Sequence, residues 1–81
     1  MKRVQVEWLD SMTDGGWSDR DDAIRRAEHP DVLRVTSVGY LIADTDEWLL
    51  LATSHGPHAD IVQGCVQIPR EIVREVRELR R

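Results

Sequence analysis

The chain has 81 residues, 15 of them acidic and 11 basic, for a formal charge of -4 with its three histidines neutral. That balance argues against a general nucleic-acid binder, which needs a basic field to displace counterions from phosphates. It leaves room for a small anionic ligand, since backbone amides and one or two arginines suffice to hold a phosphate.

At this length one domain, 1–81, is expected, and it buries only roughly 60–65% of its unfolded surface, so a lone core is marginal. Cys65 is the only cysteine, which excludes an intrachain disulfide. With that staple excluded, assembly into a homo-oligomer is the expected remedy. A single thiol with no signal-peptide pattern points to a reducing, cytoplasmic compartment. The longest apolar run, Trp48 to Ala52, is far too short to cross a membrane.

Val4, Val6 and Trp8 alternate with Gln5 and Glu7, the period of a half-buried strand. The following stretch, Asp10-Ser11-Met12-Thr13-Asp14-Gly15-Gly16, is a turn-forming loop. Ser18, with Asp21 three residues on, offers an N-cap for a short helix from about Asp19 to Glu28. Its apolar stripe, Ala23, Ile24 and Ala27, is thin, which suits a lid on one side of a sheet. Pro30 stops it, because proline disfavours the helical conformation in the residue before it.

The segment from Val32 to Ser54 is the organising element. An apolar, β-branched run is broken at Asp44-Thr45-Asp46-Glu47 and followed by a second apolar run, the pattern of an antiparallel hairpin. Apolar residues fall on both parities of the first run, which predicts a strand buried on both faces, as in a small barrel. Ser54 to Asp60 reads as a loop, and Ile61 to Ile68 as a further strand with Gly64 a possible bulge. The tail has two readings. Ile72, Val73, Val76 and Leu79 fit a helical stripe, but a 3₁₀ turn from Pro69 to Ile72 followed by a last strand also fits.

The order is strand, loop with short helix, long hairpin, strand, Ile-Pro turn and terminal segment. It predicts a mainly β fold: a small SH3-like or Sm-like barrel, with a helix between the first two strands and a helical turn or helix near the C-terminus. Gly39, the Asp-rich turn, and Val66-Gln67-Ile68-Pro69 followed by Ile72 and Val76 carry the Sm-like likeness. Trp8-Leu9-Asp10-Ser11, Trp17, Val38-Gly39-Tyr40-Leu41, Leu51-Ala52-Thr53-Ser54 and Ile68-Pro69-Arg70 together resemble a group of short phage-encoded proteins. That resemblance implies no shared chemistry residue by residue. By analogy it suggests a phage counter-defence sponge that sequesters a nucleotide immune signal in the host cytosol.

The candidate ligand-binding residues are Trp8, Asp10, Ser11, Trp17, Ser54, His55 and His58. In a meander, the loops after the first and third strands lie at the same end. An indole wall would there meet hydroxyl, carboxylate and imidazole groups suited to a ribose-phosphate ligand. The competing reading makes Trp8 core, Trp17 a staple for the helix, and Asp10 with Ser11 a turn.

His55, His58 and Cys65, with His29 as a fourth, do not match a zinc spacing, and the acidic turn at Asp44, Asp46 and Glu47 lacks the glycine and distal glutamate of a calcium loop. The arginines of the tail are neutralised by Glu71, Glu75 and Glu78. No metal, cofactor or catalytic set is expected. The alternative function is an Sm-like module that binds RNA or protein, or a purely structural or regulatory phage protein.

Overall fold

A computed structural model of the chain describes residues 1–11, 15–29 and 33–80. Among them are five strands, β1 (Arg3–Leu9), β2 (Arg34–Asp44), β3 (Trp48–Gly56), β4 (Ile61–Pro69) and β5 (Val73–Leu79). One short helix, α1 (Arg20–Ala27), lies between β1 and β2. The strands form a single antiparallel sheet in the order β4-β3-β2-β1-β5. No helix among the described residues is long and apolar enough to cross a membrane.

The sheet is organised by the way β2 is shared. Its first part, Arg34 to Tyr40, runs beside β1, and its second part, Tyr40 to Asp44, runs beside β3. The two registers meet at Tyr40, next to Gly39. A Cβ on Gly39 would stand 2.7 Å from the carbonyl oxygen of Ala52, so only glycine admits the β3 backbone this close. A register shift between Leu41 and Ala43 bends β2 further.

The bend lets apolar residues of two pairs of strands meet. Val4 and Val6 of β1, Leu49 and Leu51 of β3, and Ile68 of β4 form the buried cluster. Trp8, Leu41, Val66, Ile72 and Val73 pack around it. Each fully buried aliphatic side chain contributes about 1.5–3 kcal/mol, so so short a roster makes a small core.

The expectation that β2 is buried on both faces is corrected. Its first part is covered on one face, where Gly39 is buried opposite Val4 and Val38 remains exposed, and from Tyr40 to Ala43 both faces are only half-buried. The β2–β3 turn is held by Thr45, whose N–H donates to Trp48 O at 2.9 Å and whose Oγ1 accepts from Trp48 N at 3.0 Å. Arg70 clamps the same turn. Its N–H donates to Glu47 O at 2.9 Å, its Nε donates to Thr45 O at 3.2 Å, and its guanidinium pairs with Asp44.

The tail takes the second of its two readings. A 3₁₀ turn at Arg70–Ile72 leads into β5, where Val73 lies opposite Trp8 and Val76 opposite Val6. Helical spacing in the sequence loses to pairing with an edge that the sequence does not display. Gly64 has φ +69°, a conformation open to glycine, and the β3–β4 pairs on either side of it keep one register, so it is not a bulge.

Two expectations about α1 also change. Its N-cap is Asp19, whose carboxylate accepts from the N–H groups of Asp21 and Asp22, and not Ser18. The helix is no lid, because none of its residues is buried. Three small or isolated apolar side chains offer too little area to hold it on the sheet. The stop expected at Pro30, the start of the organising segment at Val32, and Met12 to Asp14 of the first loop lie outside the described residues.

Candidate functional site

Antiparallel order places the ends of β1 and β3 at one end of the sheet, with the start of β2 between them. Trp8, Asp10 and Ser11 lie beside the start of β2, whereas Ser54, His55 and His58 lie on β3 and its turn past Tyr40, where β3 has parted from β2. Trp8 faces Val35 and Val73, packs against the core, and donates its indole N–H to Ser37 Oγ at 3.0 Å. Its polar handle is therefore used inside the fold. Asp10 is anchored by its own N–H to Leu33 O at 2.9 Å, and its exposed carboxylate accepts the N–H of Ser11 at 2.8 Å.

On the other side, β3 continues past its pairing with β2. Ser54, His55 and Gly56 pair only with Gln63, Val62 and Ile61 of β4, so the two strands form a projecting arm. His55 rests its ring 5.8 Å from that of Tyr40, tilted by 59°. Its Nε2 lies 3.2 Å from Asp60 Oδ1, a pair that fixes the imidazole against the turn. Asp60 turns the chain with φ 51°, and His58 stands exposed in the same turn.

Trp17 is elsewhere. It is fully exposed, and with α1 it walls an open cleft of about 780 Å³. Ser18, Asp19, Asp22, Arg25, Arg26 and His29 line the remainder. Arg25 pairs with Asp22, and Arg26 donates to Ser18 Oγ at 3.0 Å. Both guanidiniums are thus oriented by short local contacts while staying open to solvent. Chemically the cleft offers a flat aromatic face, two guanidiniums of which one is paired with Asp22, an imidazole, a hydroxyl and carboxylates, on one helix and the residues flanking it.

The structure thus separates Trp17 from the other six candidates, none of which lines this cleft. Arg25 and Arg26 were assigned no ligand role from the sequence, and His29 was weighed there only as a fourth zinc ligand. No spacing rule joins them to Trp17, because the indole and His29 both lie outside the helix that carries the two arginines.

A second, smaller cleft of about 340 Å³ lies between the β2–β3 turn and the 3₁₀ turn, lined by Asp46, Glu47, Trp48, Pro69, Arg70 and Glu71. Its three carboxylates repel anions, and its one cation is committed to Asp44. Among the described residues no three His, Cys, Asp or Glu side chains converge to hold a metal. No family model, curated protein or solved structure matches the chain.

Proposed function

We propose that the chain is a non-catalytic, homo-oligomeric β protein that binds a small nucleotide-like ligand in the cleft between Trp17 and α1. The observation that carries this reading is a fully exposed indole beside Arg25, Arg26 and His29. A bare Trp face is an apolar surface awaiting a planar partner, and a base is the partner whose attached phosphates would need those cations. Ser18 and Asp19 add hydroxyl and carboxylate groups for a ribose. With the phage-like sequence pattern, the concrete form is a cytoplasmic sponge that withholds a nucleotide immune signal.

The strand order, with a 3₁₀ turn between β4 and β5, supports the finer reading of the fold as a small SH3-like or Sm-like barrel. It equally favours the second functional reading, an Sm-like module for RNA or protein. The charge of -4 weighs against RNA.

Calorimetry against cyclic and ADP-ribose-type nucleotides tests the proposal. Loss of a stacked base costs about 1–3 kcal/mol and loss of a charge-assisted hydrogen bond about 1.5–3 kcal/mol. Trp17→Ala and Arg26→Ala should therefore each weaken binding roughly ten- to a hundredfold. Weakening by Asp10→Ala and His55→Ala, with Trp17→Ala silent, would move the site to the end of the sheet. No binding to any nucleotide, with tight RNA binding in a gel shift, would hand the case to the Sm-like module.

A further inference from the structure

The folded chain leaves more surface open than its mass explains. It exposes 6521 Å², whereas a folded monomer of 9.3 kDa exposes about 5,000 Å² by the scaling of surface with mass. Its radius of gyration is 16.2 Å, against about 12 Å for a compact domain of this length. The excess, about 1,500 Å², exceeds the roughly 800 Å² that one partner contributes to a standard interface.

One place on that surface names its own partner. β5 is the last strand of the sheet, so among the described residues its outer backbone edge pairs with no other strand. Its sequence is Val73-Arg74-Glu75-Val76-Arg77-Glu78-Leu79. Inside the chain these charges are poorly matched. Glu75 faces Glu7 across the β1 pairing, and Arg77 finds only the neutral Gln5, at 3.2 Å. Among the described residues neither Glu75 nor Glu78 has an ion-pair partner, and Arg74 donates only to backbone carbonyls.

Set antiparallel against a second copy of itself about Val76, the strand becomes self-complementary. Arg74 then lies opposite Glu78, and Glu75 opposite Arg77. Val76 meets Val76, and Val73 meets Leu79. All four charges of each copy stand directly opposite the other sign, and no like charges are directly opposed. A two-fold axis through the Val76 pair makes this an isologous contact, the commonest form of closed assembly. The other edge, β4, has no charged residue from Ile61 to Pro69 and so carries no such register code.

We infer that β5 pairs with β5 of a second copy about Val76, joining two five-stranded sheets into one of ten strands. This deepens the oligomeric part of the proposed function and is independent of what the cleft binds.

Sedimentation of ligand-free protein tests it. Glu75→Arg places two like-charge pairs in each dimer and should weaken association about tenfold or more. It should not unfold the subunit, because inside the chain it replaces a Glu that faces Glu7. The double variant E75R/R77E restores opposite pairs and should associate within about twofold of wild type, as the cross-strand pairing rule requires. In a Cys65→Ser background, Val76→Cys should form a disulfide-linked dimer on mild oxidation, since directly opposed strand residues lie within disulfide reach.

A wild-type chain that sediments at 9.3 kDa would remove assembly altogether. An oligomer that E75R leaves intact, a double variant as weak as E75R, or a Val76→Cys chain that stays uncrosslinked would each overturn the β5 interface while leaving the cleft reading standing.

Discussion

Replacing Gly39 with alanine tests the bend on which the fold depends. The new Cβ would sit 2.7 Å from Ala52 O, 3.3 Å from Ala52 C and 3.4 Å from Leu51 Cβ. A carbon and a carbonyl oxygen in favourable contact stand about 3.3–3.6 Å apart, so the overlap is roughly 0.6 Å or more. The obstacle is backbone in the strand that carries Leu49 and Leu51, and it cannot swing aside as a side chain does. Such overpacking costs about 1–3 kcal/mol. Reduced freedom of the unfolded chain returns about 0.4–1 kcal/mol. The net loss is then about 1–2 kcal/mol, or roughly 5–15 °C in Tm for a domain of this size.

Urea unfolding followed by Trp fluorescence, at fixed protein concentration, reads this directly. Gly15→Ala is the control, since nothing lies within 4 Å of a Cβ there. It should be neutral or up to about 1 kcal/mol stabilising. A Gly39→Ala midpoint at or above wild type would refute the close approach of β2 and β3.

The two indoles should separate cleanly in thermal melts. Trp8→Ala removes a side chain packed on the core and its bond to Ser37, costing about 3 kcal/mol or more. Trp17→Ala removes a fully exposed side chain and should stay within about 0.5 kcal/mol of wild type, so a larger loss at Trp17 would overturn the placement of both. Gly64→Ala combines a φ of +69° with a clash against Thr53 Oγ1, which donates to Gln63 O at 3.2 Å. A loss of about 1–3 kcal/mol is expected, partly recovered in T53A/G64A. Additive effects of the two substitutions would show that the contact is not the cause.

The strands were readable where a residue's role depends on its own neighbours in the chain. The alternation of Val4, Val6 and Trp8 gives β1, and the Asp-Thr break gives the β2–β3 hairpin. What was not readable depends on a distant partner. Val73, Val76 and Leu79 suit a helix as well as a strand until β1 is seen beside them. Gly39 stands out in the sequence as part of the Sm-like pattern, but its physical reason is the carbonyl of Ala52, which only the fold places against it.

The site divides in the same way. The shared end of β1 and β3 follows from meander topology alone. Trp8 was claimed for a pocket, but its N–H is used by Ser37, 29 positions away. Arg25 and Arg26 were given no role, and His29 was weighed only as a fourth zinc ligand beside His55, His58 and Cys65. Only the undocked helix and the bare indole give Arg25, Arg26 and His29 a common cleft.

Native mass spectrometry of the protein purified from cells that produce candidate nucleotides tests the functional claim most directly, because it reports stoichiometry and retained ligand together. Wild type should appear as an even multiple of the 9.3 kDa chain carrying an adduct of nucleotide mass, and Trp17→Ala should keep the multiple while losing the adduct. A bare 9.3 kDa monomer, or an adduct that Trp17→Ala retains in full, would contradict the account.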